Sequence, residues 1–338
     1  MDRPGHPGKG DRDLSIDIAK VFGIMLVVMA HSQSPFPLEK MITSFTMTVF
    51  YMISGLLYKP RGVAHALRNK LSTLVVPYFM AAIVTLPTLW AIGQGSLFNT
   101  DIVFRLLDAK DEGLVWNSPL WFLPSLFITI VAFSLLEAAL RSTRAAALAG
   151  IVLGLAASYL VLPVRPFLFF GLDTAVPGLA FFSLGVLVSG RDSLRNPSPR
   201  WNLAAFALCF GLWVATRMLG GHPYFIMAKY RISPNLLFFA TGIAGTFATL
   251  YFARFLDLIW KQDGSGLPAR LLLFLSSSMF GIYVFHKPII NSIRDYVPPL
   301  GGLRFLVLFI AGVTISSLLL ALLRVVSPRL TRALTGSR

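Results

Sequence analysis

Residues 13–32 constrain this chain more than any other stretch: Asp13-Leu14-Ser15-Ile16-Asp17-Ile18-Ala19-Lys20-Val21-Phe22-Gly23-Ile24-Met25-Leu26-Val27-Val28-Met29-Ala30-His31-Ser32. The run is long and apolar enough for a helix that crosses a bilayer. Yet it carries Asp17 and Lys20 near its start and His31 at its far end. Ionisable groups are costly in hydrocarbon, so they face a bundle interior or a watery cavity and mark a functional path. Lys20 and His31 are eleven residues apart, which at about 100° per residue is roughly three turns plus 20°. Both therefore share a face, about 16 Å apart along the axis. Asp17, three residues before Lys20, shares it too.

Arg3, Lys9 and Arg12 precede this run, which passes through Val28-Met29-Ala30, so it also has the outline of a cleaved signal peptide. Asp17 and Lys20 interrupt the hydrophobic region of such a peptide, and further apolar runs follow directly. The expectation is an uncleaved first helix preceded by a disordered cytoplasmic tail, residues 1–12.

Nine more runs of spanning length lie at 41–58, 72–92, 119–140, 145–162, 174–190, 201–219, 234–258, 271–292 and 303–326. With 55% hydrophobic and only 13% charged residues, the chain reads as an all-α polytopic membrane protein of about ten transmembrane helices. The transmembrane domain is expected over 13–326 and a basic cytoplasmic tail over 327–338. Placing the N-terminus inside puts 19 of the 30 Lys and Arg residues on the cytoplasmic side, so both termini are expected to be cytoplasmic. Because the basic residues sit dispersed in short loops, the net charge of +15 reads as orientation in a lipid bilayer and not as nucleic-acid binding. The single cysteine, Cys209, excludes an internal disulfide, and the five histidines show no ligand spacing, so no metal is expected.

In this topology Lys20 lies toward the cytoplasm, while His31, Trp121, Asp173, His286 and Lys287 lie toward the outer side. The outer connection 93–118 holds Asp101, Asp108, Asp111 and Glu112 with apolar residues at helical spacing. It suits a short interfacial helix beside a polar acceptor surface, or a plain solvated loop.

His31 is the first candidate for chemistry, since a neutral imidazole can take a proton from an alcohol near neutral pH; its bland alternative is an interfacial residue ending a helix. Arg68 and Lys70, within the basic run Lys59, Arg61, Arg68 and Lys70, can hold a phosphorylated ligand, although orientation alone accounts for their charge. Ser54-Gly55 permits close helix approach. Ser118-Pro119-Leu120-Trp121-Phe122 suits an aromatic belt, and Phe280 to Pro288 carries the second outer histidine, His286.

Taken in order, these segments resemble the membrane acyltransferase 3 family, and especially its fucose 4-O-acetylase-like branch. Lys20 through His31 is similar to the family's Arg/Lys-x10-His signature, the most specific element. Phe50-Tyr51-Met52-Ile53-Ser54-Gly55 resembles its Phe-Phe-x-x-Ser-Gly pattern, and Arg68-Asn69-Lys70-Leu71 with Pro77-Tyr78 its basic segment. Trp121-Phe122-Leu123 and Ile282-Tyr283-Val284-Phe285-His286 match later patterns. The chain departs at Phe45-Thr46-Met47-Thr48, where the branch often has Phe-His-Met-Pro, and no appended hydrolase-like domain, as in some longer members, is expected.

The resemblance implies transfer of an acyl group, acetyl above all, from cytoplasmic acyl-CoA to a hydroxyl of a carbohydrate acceptor. A multi-pass protein of the bacterial cytoplasmic (inner) membrane is implied. His31, Lys20 and Asp17 are the expected catalytic group, with His31 as general base or as carrier of a covalent acyl group. Arg68 and Lys70 are expected to hold acetyl-CoA, and Trp121 and His286 to meet the acceptor. The rival class is a transporter or flippase using the same charged helix as part of a translocation path.

Overall fold

The computed structural model describes residues 13–93, 101–160, 169–190, 194, 196–219, 227–229, 235–263, 266–299 and 301–336. The expected N-terminal tail, 1–12, and the loop charges Arg165, Arg191, Arg195, Arg231 and Arg338 lie outside the described residues. Among the described residues all regular structure is helical: α1 (Leu14–His31), α2 (Phe36–Thr43), α3 (Thr46–Leu56), α4 (Val63–Lys70), α5 (Val76–Thr85), α6 (Thr88–Ala91), α7 (Asp101–Asp108), α8 (Phe122–Leu140), α9 (Thr143–Leu160), α10 (Leu172–Val188), α11 (Pro199–Met218), α12 (Asn235–Asp263), α13 (Leu267–Ile293), α14 (Leu303–Val326) and α15 (Pro328–Thr335). A π-helical turn, Leu71–Val75, joins α4 to α5, and a 3-10 turn, Ser118–Trp121, leads into α8.

Among the described residues, seven stretches are long and apolar enough to cross a membrane: α1, α8 with its 3-10 turn, α9, α11, α12, α13 and α14. The other three expected crossings take different forms. The α10 helix is apolar but has 17 residues. The segment 41–58 is divided between α2 and α3, because Phe45 leaves helical geometry at φ −142°. The segment 72–92 is divided between the π turn, α5 and α6, with Pro87 at the last break. A proline lacks the N–H an α-helix needs and crowds the carbonyl four residues back.

The connection 93–118 contains the short amphipathic helix α7, which buries Ile102 and exposes Val103, Phe104 and Leu107. Pro328 opens α15, whose Thr331 and Leu334 are buried and which packs on α5.

The centre of the bundle is built on small residues and satisfied polar groups. A Cβ on Gly55 would overlap the Phe182 carbonyl oxygen, and one on Gly185 would overlap that of Met52. The backbones of α3 and α10 therefore touch, as Ser54-Gly55 suggested. Beside this contact Tyr51 Oη and Ser125 Oγ are 2.6 Å apart, and Thr174 Oγ1 donates to Ser125 Oγ at 2.8 Å. Buried hydroxyls satisfied in this way avoid the several kcal/mol that an unpaired polar group costs away from water. The α1 helix is capped by Asp13, whose carboxylate accepts from the Ser15 N–H and hydroxyl, and packs against α3, α12, α13 and α14.

Candidate active site

Two cavities lie at the two ends of α1. The first, about 420 Å3, is lined by Lys20 of α1, Phe50, Ile53 and Ser54 of α3, Tyr58, Lys59 and Arg61 of the following connection, His65, Asn69 and Lys70 of α4, and Phe122 and Met279. Asp17 is buried and stands 3.9 Å from the Lys20 ammonium. Burial lowers the Lys70 pKa from its ordinary value, because a desolvated ammonium loses hydration. A concave, mainly apolar wall bearing several cations suits a ligand with an apolar arm and anionic groups.

The second cavity, about 500 Å3, is lined by His31, Gln33, Glu39, Thr46, Met47, Asp111, Glu112, Ser118, Trp121, Tyr283 and Lys287 among others. Its walls carry both signs of charge and several hydroxyl or amide groups, which suits a polar, hydroxyl-bearing ligand. Lys20 and His31, expected on one face of α1, therefore line one cavity each. Both draw on α1, α3 and α13. Along α3, Met47 faces one cavity and Phe50 and Ser54 the other; along α13, Lys287 and Tyr283 face one and Met279 the other. On the wall of the first cavity Phe50 and Phe122 pack edge to face, with ring centroids 6.0 Å apart. A Cβ on Gly23 would stand 3.0 Å from the Phe50 ring, so glycine there leaves the ring room.

Local sequence explains how the groups around the second cavity are held. Pro288 inside α13 has no N–H for the carbonyl of Val284, four residues back. Asn117 fills that gap, donating from Nδ2 to Val284 O at 2.9 Å. Tyr283 Oη donates to Pro119 O at 2.7 Å. These two bonds fasten α13 to the turn that carries Trp121. On α13 the His286 ring is fully buried, with Nδ1 2.7 Å from Ile282 O and 3.0 Å from Tyr283 O. Its centroid lies 5.4 Å from that of His31, with the rings tilted by 39°.

The structure thus brings Lys20 and Lys70 to one cavity, with Asp17 beside Lys20 but not on the cavity wall, and His31 and Trp121 to the other. Two expected site residues lie apart. Arg68 is exposed and does not line the cavity: His65, Asn69 and Lys70 form one face of α4, and Arg68 projects about a third of a turn away from it. His286 sits behind His31 and does not line the second cavity. Asp173 accepts the Thr174 N–H at 2.8 Å at the start of α10 and lines neither cavity. Sequence reasoning singled out neither Glu39, Tyr58, His65 and Asn69, nor Tyr283 as a cavity residue. The i, i+4 spacing of Tyr283 with Lys287, and of His65 with Asn69, was the available signal.

This arrangement is an apolar helical bundle of membrane-spanning length with a ligand-sized cavity toward each end of α1. A family model described as an acyltransferase domain matches residues 13–322, and the chain belongs to this family, the acyltransferase 3 family of membrane O-acyltransferases. The transporter reading is not favoured. No curated protein and no solved structure matches the chain.

Proposed function

We propose that this protein moves an acetyl group from cytoplasmic acetyl-CoA to a hydroxyl of a sugar or polysaccharide at the outer side of a bacterial cytoplasmic membrane, as a member of the fucose 4-O-acetylase-like branch. The observation that carries this reading is the pair of cavities at the ends of one helix, with Lys20 in the first and His31 in the second. All ten apolar segments then cross the membrane, with both termini cytoplasmic.

In this reading Lys59, Arg61 and Lys70 hold the coenzyme phosphates in the first cavity, helped by Lys20, while the apolar wall takes the pantetheine arm. Asp17 fixes the Lys20 ammonium. Trp121 and the polar rim of the second cavity orient the acceptor. His31 takes the proton from the acceptor hydroxyl as its oxygen attacks the thioester carbonyl carbon. A C–O bond forms, the C–S bond breaks, and the proton returns through His31 to the departing thiolate, giving ester and free coenzyme. A covalent acyl-His31 route uses the same ring.

The test is transfer of label from radiolabelled acetyl-CoA to glycans in membranes that carry wild-type protein or His31→Ala at matched levels. General-base loss predicts a fall of about 10²- to 10⁴-fold. Full transfer by folded His31→Ala refutes both routes.

A further inference from the structure

His286 is the buried titratable group that this mechanism leaves unused. Its Nδ1 faces two carbonyl oxygens of its own helix, Ile282 O at 2.7 Å and Tyr283 O at 3.0 Å. Carbonyls only accept, so Nδ1 carries the hydrogen. In the neutral ring Nε2 is then a lone-pair acceptor. It has no hydrogen-bond partner among the described residues, although the side chain is fully buried. A buried acceptor left unmatched is costly and calls for a donor. The neighbouring polar ring is His31, at 5.4 Å between centroids, within reach of a direct ring-to-ring bond after a small side-chain rotation, or of one bridging water.

We propose that His286 is a positioning residue for His31: its Nε2 accepts the His31 ring N–H, directly or through one water. The nitrogen that is protonated on a histidine is set by the bond the other nitrogen makes. An acceptor behind His31 therefore holds the hydrogen on the buried side of that ring and turns the remaining lone pair to the cavity, where a hydroxyl proton must be taken. His286 itself touches neither donor nor acceptor. The same pairing holds the His31 ring in one orientation.

This inference rests on the general-base reading of His31, and its test does not depend on acyl transfer. Carbethoxylation of His31 by diethyl pyrocarbonate, followed by peptide mass spectrometry, reports the availability of its lone pair. His65, exposed on α4, is the internal reference. His286→Asn retains a polar group near Nδ1 and lacks one at Nε2, whereas His286→Gln can return an acceptor to the Nε2 position.

The expected result is His31 modification slowed about tenfold in His286→Asn, the usual scale for losing a group that orients a functional side chain, and restored toward wild type in His286→Gln. His65 should be unchanged in both. Where transfer is measurable, kcat should fall in His286→Asn with KM for the acceptor unmoved. A His31 rate unchanged in folded His286→Asn overturns the proposal. If His286→Asn does not fold, nitrogen-15 spectra of the wild-type protein decide: a His286 ring protonated at Nδ1 and accepting at Nε2 supports the pairing, and one protonated at Nε2 overturns it. Dependence of His31 reactivity on His286 in a protein that acetylates nothing leaves the pairing standing and removes the acetyl-transfer reading.

Discussion

Substituting Gly178 by Ala tests whether the α3–α10 contact holds the site in register. A Cβ there would stand 2.5 Å from Cε1 of the Tyr51 ring, while ordinary contact begins near 3.4 Å, so the ring must retreat by about 0.9 Å. Tyr51 is fully buried, packs edge to face on Phe122 at 5.0 Å between centroids, and has its hydroxyl 2.6 Å from Ser125 Oγ. A retreat of that size takes the hydroxyl pair out of good range. Forced overpacking costs about 1–3 kcal/mol and a buried hydroxyl left unsatisfied about 1–3 kcal/mol, against about 1 kcal/mol gained from replacing a helical glycine. The net is about 1–5 kcal/mol, or roughly 1–7 °C in the thermal midpoint for a chain of 338 residues. Because α3 also carries Phe50, Ser54 and Met47 into the two cavities, a shift of this kind lowers kcat/KM by up to about 100-fold. Melting of the detergent-solubilised protein should show the drop for Gly178→Ala and none for Gly211→Ala, since nothing lies within 4 Å of a Cβ on the exposed α11 glycine. Tyr51→Leu with Gly178→Ala should cost less than the two changes summed. Equal midpoints for the two alanine variants, or strict additivity of the pair, would refute the reasoning.

The cationic cavity carries two further predictions. Lys70→Met should raise KM for acetyl-CoA by about tenfold or more, the scale of one charge-assisted contact, while Arg68→Gln, on the other face of α4, leaves it within error; steady-state kinetics at fixed acceptor decide between them. Burial lowers the Lys70 pKa, and it is the charged form that binds phosphate. That contribution is therefore complete at lower pH and is lost as pH rises through the lowered pKa, before an ordinary lysine would titrate. The alkaline rise in KM should move to higher pH in Lys70→Arg, whose guanidinium stays charged; an identical profile in the two proteins argues against Lys70 as a coenzyme contact.

Much of the site was legible because α1 obeys a simple period. Lys20 and His31 fall on one face by helix geometry alone, and the bundle supplies a cavity to each. The Ser54-Gly55 pair was legible for a similar reason, since small residues within an apolar run have few other uses. Arg68 and Lys70 were not separable in the same way. Both lie in one basic run, and which of them faces the cavity depends on the rotation of α4 about its axis, which is set by packing against α8 and the π turn. The crossings at 41–58 and 72–92 read as continuous because hydropathy does not register Phe45 leaving the helix, and Pro87 lies close enough to the end of its run to pass as a terminus. His286 was visible as a histidine facing outward; that its ring turns back onto Ile282 O and stands behind His31 depends on contacts between α13 and α1 that no local period encodes.

The join between Pro288 and Asn117 shows how the fold converts a local defect into position. A proline inside a helix frees one carbonyl, and a free carbonyl in an apolar bundle requires a donor. Asn117 lies one residue before the 3-10 turn that carries Trp121, so satisfying Val284 O at 2.9 Å also sets the distance across the second cavity between Trp121 and the α13 face that bears Tyr283 and Lys287. Asn117→Leu should therefore act on both counts. It leaves the carbonyl buried and unpaired, at about 1–3 kcal/mol, and it loosens a wall of the cavity that holds His31. Asn117→Asp can accept but not donate when ionised, so it should behave no better than leucine despite its closer shape. A variant series in which aspartate keeps wild-type stability and acceptor KM would show that shape, and not the donated hydrogen bond, holds α13 in place.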